Sequence, residues 1–368
     1  MPKPGPRLRL IDVAERAGVS LATASRALAG RDGVSEEVAQ RVRQVSQELG
    51  YVANPYARTL AGGASSTVGL VVHQVDDPYF SEIAGGVIQV AAEEGLLVQI
   101  CHSGRDPDAE LRQLRHLIAQ RVGIILIAGS GYDDARIEAE ARAELAEFQR
   151  QGGRVAVIGR HALGVDAVLP DNEAGGRALG EHLLDLGHRR IAVAAGTAGL
   201  TTVADRLAGV ASALRRHGLS LDDLPVVHSD FTRDGGRVAA EQILRDHPDT
   251  TAIVALNDAM AIGVLSTLRA HRIPVPERIS VVGFDDVAVA ADLAPSLTTI
   301  RLPMTDMGRM ALSLALKPRP TRPRRRPTGH LLVVRDSTGP APATAPTVAP
   351  AADRAAGHRA GTLAQPAT

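Results

Sequence analysis

A single cysteine, Cys101, stands in 368 residues, and tryptophan is missing altogether. A lone thiol excludes an internal disulfide and a cysteine-rich zinc site. Aromatic residues make up only 2% of the chain, so the core must be aliphatic and rich in alanine. Lysine is nearly absent too: Lys3 and Lys317 are the only two, and almost all positive charge is arginine. The formal net charge is zero, so there is no overall basic signal. No apolar run is long enough to span a membrane. The opening "MPKPGPRLRLIDVAERAG" has no hydrophobic signal region. These absences describe a cytoplasmic protein, with no cofactor or metal expected.

What is present suits a soluble globular chain, at 45% hydrophobic and 22% charged residues. The length exceeds one ordinary domain and allows a large buried core. Charge is unevenly spread. Residues 1–64 hold nine Arg and Lys against six Asp and Glu, which leaves the remainder acidic. This is a mild footprint for nucleic acid at one end.

Three helical patterns come first: 11–17 "IDVAERA", 21–28 "LATASRAL", and a third begun by Ser35 with Glu36 and Glu37 in its first turn. Negative charge there favours the helix dipole. Val38, Val42, Val45 and Leu49 fall on one face of the third helix, and Gly50 stops it. "NPYARTLAGG" (54–63) follows. It is punctuated as a helix, with Asn54 to cap it, Pro55 at its first position and Gly62 to close it. A helix so short is unstable alone in water.

From Val68 the character changes. Apolar runs at 68–73, 96–101, 123–128, 154–159, 190–196, 251–256 and 278–284 read as strands. Amphipathic stretches at 79–94, 108–120, 172–186, 233–245 and 257–270 read as helices. Such alternation predicts parallel sheets covered on both faces, and there is too much of it for one sheet. "KPRPTRPRRRP" (317–327) reads as a solvated, Pro-spaced loop between two strands rather than a second nucleic-acid contact. The Ala/Pro/Thr-rich segment 338–368 is predicted to be disordered.

"DVAERAGVSLATASRAL" has helix–turn–helix logic. Ala14 is small where two helices cross, Gly18 permits the turn, Val19 fills the space beneath it, and Ser20 caps the second helix. The outward residues of that helix are Leu21, Ala22, Thr23, Ser25 and Arg26. A helix presented this way enters the major groove with its first residues on base edges. Arg26 has the reach for a guanine or a phosphate; Thr23 and Ser25 suit phosphates.

The longer stretch "DVAERAGVSLATASRALAGRDGVSEEVAQRVRQVSQELGYVANPYARTLAGG" resembles the amino terminus of the lactose-repressor family of bacterial transcription regulators. The resemblance continues through "DDPYFSEIAGGV", "DNEAGGRALGEHLLDLGHRRIA", "ALNDAMAIGVL" and "ISVVGFDDVAVAADLAPSLTTI". It implies an α/β fold: a small all-α helix–turn–helix head (8–52), a hinge helix and linker (53–65), and a two-lobed core of two doubly wound parallel sheets (66–337). The lobes are expected at 66–160 plus 293–325 and at 161–292 plus 326–337.

By that resemblance Leu21 and Ala22 are the base-reading pair, Thr23, Ser25 and Arg26 contact phosphate and groove, and Asn54, Ala57 and Leu60 belong to the hinge contact. Leu60 is the wedge that unstacks a base step in the minor groove. The short hinge helix then folds with DNA and with a second protomer. Arg9, where a capping Ser or Thr is usual, implies a fraying first helix.

Several residues fall at the carboxyl ends of strands, where open α/β sheets bind ligands: His73, Tyr79, Phe80, Phe231, Asn257 and Asp285, with Arg206 opening a helix. The resemblance makes these seven the effector contacts. Arg and Asp with an aromatic face suit a sugar, and equally a nucleobase. The expected protein is thus a repressor, not an enzyme, with three partners: a palindromic operator in double-stranded DNA, a small-molecule effector (a sugar, or alternatively a nucleoside or purine) and a second copy of itself in a homodimer. The competing class is a solute-binding protein for transport, which shares the two-lobed core but needs no DNA-binding head. His182 and His188, six residues apart, form no ligand set.

Overall fold

The computed structural model describes residues 8–28, 32–51 and 65–343. The head is three helices: α1 (Leu10–Ala17), α2 (Leu21–Leu28) and α3 (Glu36–Leu49). They enclose a small core of Val13, Ala14, Ala17, Ala24, Ala27, Ala39 and Val42. Alanine at the crossings lets short helices approach closely. Val38, Val45 and Leu49 pack against the same core, on the face their spacing predicts.

Gly18 ends α1 at φ 70°, a left-handed backbone that a side chain would strain. Its N–H donates to the Glu15 carbonyl at 3.2 Å, and that of Val19 to Ala14 at 3.0 Å, which turns the chain into α2. Ser20 caps α2, its Oγ accepting from the Thr23 N–H at 3.1 Å. The start of α1 is held despite Arg9, because Asp12 Oδ2 accepts the Arg9 N–H at 2.7 Å, the returning half of a capping box. Ser35 precedes α3 but makes no side-chain cap.

Two compact units make up the chain. The first comprises residues through Leu169 and Met304–Arg326; the second comprises Pro170–Pro303 and the chain from Pro327. In the first, β1 (Thr67–Val72), β2 (Leu97–His102), β3 (Ile124–Ala128), β4 (Arg154–Ile158), β5 (Asp166–Leu169) and β11 (Arg325–Pro327) lie in the order β11-β5-β4-β3-β1-β2. The pairs β1–β2, β1–β3, β3–β4 and β4–β5 are parallel. Helices α4 (Pro78–Glu93) and α11 (Met304–Leu316) cover one face; α5 (Pro107–Ala119) and α6 (Ala135–Arg150) cover the other. The second face buries Leu111, Leu114, Leu117, Ile137, Leu145 and Phe148 against Val71, Ile125 and Val157. Each such side chain contributes about 1.5–3 kcal/mol when fully buried. On the first face, a Cβ on Gly86 would lie 1.9 Å from the Thr305 carbonyl oxygen, so α4 and α11 meet backbone to backbone.

The second unit has a four-stranded sheet in the order β7-β6-β8-β9, from β6 (Ile191–Ala195), β7 (Val226–His228), β8 (Ala252–Ala255) and β9 (Ser280–Val282). Its pairs are parallel. Helix α7 (Asn172–Asp185) packs with α8 (Thr201–Arg216), and α9 (Arg233–Asp246) with α10 (Asp258–Ala270). A short antiparallel pair, β10 (Thr299–Arg301) with β12 (Leu331–Val333), completes it.

Four expectations need correction. The division expected at 160 falls at 169, because β5 pairs with β4 in the first sheet. The one expected at 293 falls at 303, because β10 pairs with β12 in the second unit. Residues 317–327 are not wholly loop: Arg325–Pro327 is a strand beside β5, and Arg324 is fixed to Asp166 by an ion pair at 2.6 Å. The start of the tail, expected to be disordered, is ordered. His182 Nε2 lies 3.0 Å from Thr338 Oγ1, the Gly339 carbonyl accepts from buried His188 at 3.1 Å, and the Ala341 N–H donates to Leu186 at 2.8 Å.

Candidate functional site

The five expected base and phosphate contacts of the head lie together on α2. Leu21, Ala22 and Arg26 are exposed, Thr23 and Ser25 half-exposed, while Ala24 and Ala27 point into the core. Leu21 is 49% exposed, which leaves its side chain free to meet a surface. The Thr23 hydroxyl shares a hydrogen bond of 2.8 Å with Ser20, which orders the first turn. Arg26 Nε donates to the Ala22 carbonyl at 3.3 Å, so its guanidinium lies along the same face. Asn54, Ala57 and Leu60 lie outside the described residues.

In the first unit, His73 closes β1 and is buried among ring and acid partners. Its Nε2 is 3.2 Å from the Tyr132 hydroxyl and 3.4 Å from Glu110 Oε2. Tyr132 follows β3 and also donates to Glu110 Oε2 at 3.3 Å. Burial, then the Glu110 charge, pushes the Tyr132 phenol well above its ordinary value, so it remains a proton donor. His161, after β4, donates from Nε2 to the Gly129 carbonyl at 3.1 Å; burial lowers its pKa. Phe80 is buried with its ring 5.8 Å from His73 and 5.0 Å from Tyr79, which is half-exposed. Asp77 caps α4 through the Tyr79 N–H at 3.1 Å and pairs with Arg105 at 3.2 Å. Burial raises the Asp77 pKa against the lowering effect of Arg105.

In the second unit, Arg206, Phe231, Asn257 and Asp285 converge beyond the carboxyl ends of β6, β7, β8 and β9. Arg206 lies in the second turn of α8, not at its start as expected, since the helix begins at Thr201. It is only 2% exposed. Nε donates to Asn172 Oδ1 at 2.9 Å, Nη2 to Asp285 Oδ1 at 2.8 Å, and Nη1 to the Leu256 carbonyl. The guanidinium stacks on Phe284, 3.7 Å from the ring centroid, and stands 6.0 Å from that of Phe231. Asn257 caps α10 through the Met260 N–H at 2.8 Å.

Asp285 and Asp286 both have positive φ, 118° and 58°. Non-glycine residues hold such angles only where their surroundings enforce them, most often at functional sites. Here Asp286 is clamped by Arg301 at 2.6 Å and Arg335 at 2.7 Å. Asp258 behind them is fully buried, accepting from Thr299 Oγ1 at 2.6 Å and the Val287 N–H at 2.9 Å. Burial, reinforced by the Asp285 charge, raises its pKa well above the usual carboxylate value.

Sequence reasoning missed Tyr132, Glu110 and His161 in one cluster and Asn172 and Phe284 in the other; Asp258, like Asp286, is reached by its place at a strand end. Tyr132 and His161 follow strands, so the strand-end rule reaches them. Glu110 and Asn172 carry no such mark. Among the described residues no cluster of His, Cys, Asp or Glu is arranged to hold a metal ion, and no helix is long and apolar enough to cross a membrane.

An exposed helix–turn–helix face ahead of two doubly wound units is the layout of an effector-regulated DNA-binding protein. The chain belongs to the lacI family of bacterial regulatory proteins, and is a DNA-binding transcription regulator. Residues 9–54 match the family's own model, described as "Bacterial regulatory proteins, lacI family", and residues 181–338 match a periplasmic binding protein-like domain. Among its relatives is the HTH-type transcriptional repressor CytR of Escherichia coli (strain K12), 33% identical over 308 residues, 83% of this chain and 88% of that one. Two solved structures share the fold along nearly the whole chain. The transcriptional regulator CelR–cellobiose complex is 31% identical, covers 90% of this chain and 100% of its own, and has a TM-score of 0.66. The lac repressor dimer bound to operator and the anti-inducer ONPF is 26% identical, covers 91% and 100%, and has a TM-score of 0.74.

Proposed function

We propose that the protein is a repressor that binds a palindromic operator as a homodimer, and that a sugar sets its operator affinity. The observation that carries this is the exposed first turn of α2, with Leu21 and Ala22 outward and Ala24 and Ala27 locked inward. In this reading Leu21 and Ala22 touch base edges in the major groove, and Thr23, Ser25 and Arg26 hold the backbone and groove wall. Asn54, Ala57 and Leu60 form the minor-groove contact at the operator centre. A two-fold protein dimer matches the two-fold symmetry of a palindrome.

The effector reading rests on two clusters at the carboxyl ends of the parallel strands. His73, Tyr79 and Phe80 belong to the first unit; Arg206, Phe231, Asn257 and Asp285 belong to the second. The first cluster offers an imidazole and two aromatic rings; the second, taken by itself, offers a guanidinium, a carboxylate and an amide for hydroxyl groups and the Phe231 ring for the apolar face of a sugar. The CelR structure is a complex with cellobiose by its description, which favours a carbohydrate over a nucleoside. We assign no catalytic role and place the protein in the cytoplasm.

The test pairs a thermal-shift screen of sugars and nucleosides with a mobility shift on the DNA upstream of the gene. A sugar that stabilises the protein and changes its hold on one duplex is the expected result. A nucleoside doing so selects the second reading. Sugar binding without any shift of that duplex places the operator elsewhere than upstream of the gene.

A further inference from the structure

The formal neutrality of the chain hides a strongly basic edge. The amino-terminal ends of β1, β3, β4 and β5 share one edge of the first unit's sheet. The loop from α11 to β11 runs along that edge and carries Lys317, Arg319, Arg322 and Arg324 with no acid among them. Lys317, Arg319 and Arg322 are exposed, and none of them pairs with a carboxylate among the described residues. A recess of about 150 Å³ opens there, lined by Arg154, Lys317, Arg319, Thr321 and Arg324, with Asp166 as its one acid. Arg324 already neutralises Asp166 at 2.6 Å. Arg154 is anchored by donation to the Leu316 carbonyl at 3.0 Å. The recess therefore keeps an uncompensated positive charge.

Two further features give the edge a direction. Pro318, Pro320 and Pro323 alternate with the basic residues. Fixed proline φ angles stiffen the loop, so little entropy is lost when it meets a partner. The acids Glu93 and Glu94 lie just before β2, at the opposite end of the β11-to-β2 order. Five strand spacings separate these ends, about 24 Å, well beyond the screening length of about 8–10 Å. The basic end thus acts on its own.

The chain arriving from the head enters the sheet on this same edge, at Ser65 and Thr67. Thirteen residues separate Tyr51 from Ser65, a path of at most about 50 Å even at full extension. DNA held by α2 is therefore within reach of the edge. We propose that this basic edge contacts the phosphate backbone of the DNA flanking the operator, with Lys317, Arg319 and Arg322 as its principal contacts. The inference rests on operator binding by the head and adds a second, sequence-independent contact from the core.

The experiment compares the full-length protein with K317Q/R319Q/R322Q on two duplexes. One is a core operator of about 20 base pairs, two half-sites a helical turn apart; the other has the same centre extended to about 40 base pairs. Affinity is read against salt. Removing one basic side chain from a phosphate should flatten the log–log slope by about 0.9. Wild type should bind the long duplex on the order of tenfold more tightly than the short one, with a steeper slope. The triple variant should lose that increment and keep short-duplex binding. R319K/R322K, which retains charge, should keep most of it. Substituting Leu21 and Ala22 should change operator preference while leaving the flank increment in place, so the two contacts fail separately. Equal wild-type affinity and slope on both duplexes overturns the proposal while leaving α2 as the operator reader. So does a triple variant that loses binding to an acidic polypeptide such as polyglutamate but none to the flanks.

Discussion

Arg206 Nη2 stands 2.8 Å from Asp285 Oδ1, and both side chains are more than nine-tenths buried. The guanidinium is spent on Asn172, the Leu256 carbonyl and Asp285 while stacked on Phe284. The pair is thus a structural tie of the second unit as well as a proposed ligand contact. Removing one partner of a buried pair strands the other, at a cost of about 3–5 kcal/mol. Arg206→Ala should therefore lower the urea midpoint markedly, and Asp285→Asn less, since an amide still accepts a hydrogen bond. Loss of effector response in Asp285→Asn with near-normal operator binding is the expected functional signature. An Arg206→Ala protein as stable as wild type would show that the tie is unimportant.

As the proposed recognition helix, α2 should separate specificity from affinity. Changing Leu21 and Ala22 together should alter which base pairs a binding-site selection returns. Arg26→Ala should weaken binding by roughly 1–3 kcal/mol if it reads a base, and uniformly across sequences if it holds a phosphate. An unchanged sequence logo for the double mutant would move base reading off α2.

The hinge carries its own test, although it lies outside the described residues. If Leu60 is the minor-groove wedge expected from the family resemblance, Leu60→Ala should weaken specific operator binding several-fold at matched salt while the core stays folded, because such a wedge offsets the energy of bending the duplex. Equal affinities for mutant and wild type on a palindromic operator would rule the wedge out.

Acid should probe His161. Burial lowers its folded pKa, whereas the unfolded chain takes its proton near the ordinary value of about 6.5. The unfolded state then binds more protons as pH falls, so this histidine's contribution is complete above about pH 6.5 and declines below it, by at most about 1.4 kcal/mol per pH unit. His161→Gln should lose less stability than wild type between pH 7 and 5 in parallel urea titrations. Identical slopes would mean that His161 is protonated in the folded state. Asp258 has the opposite sign, because its raised pKa favours the folded state towards acid.

The carboxyl terminus should divide at a definite point. Ending the chain at Thr338 removes the Gly339 carbonyl from His188 and the Ala341 N–H from Leu186. The Gly339 N–H and carbonyl also bond Ser280 Oγ, at 3.1 and 3.3 Å, so the truncation should lower the melting temperature by several degrees, at about 1 kcal/mol for each bond lost. Ending it at Ala343 should change neither melting temperature nor operator affinity. Equal melting of the two truncations would show these contacts to be idle.

Local chemistry was the most legible part of the sequence. Gly18, Ser20 and the valines of α3 act within a few residues of themselves, so their spacing reported the head directly. Apolar runs reported most strands of both sheets. The sites were legible only as lists of candidates. Arg206 stood out, yet its partners Asn172, Leu256 and Asp285 lie 34, 50 and 79 residues away, and no periodicity links them. Phe284 was hidden in the continuous apolar run of a buried strand, which does not say which ring lies under a guanidinium. The boundaries at 169 and 303 failed for the same reason: β5 and β10 are four and three residues long, and only their distant pairing partners assign them to a unit.

The three crossings of the chain between its units have a consequence for how a ribosome must make the protein. The head is complete after about fifty residues, but the first unit lacks α11 and β11 until the chain has passed Arg326. The second unit, begun at Pro170, still awaits β12 and the strap around Gly339. A nascent chain therefore displays its DNA-binding surface long before either regulatory unit can close. Domains generally fold in the order of their synthesis. Here that order gives an early reader and a late controller, which places a premium on rapid synthesis of residues 304–341.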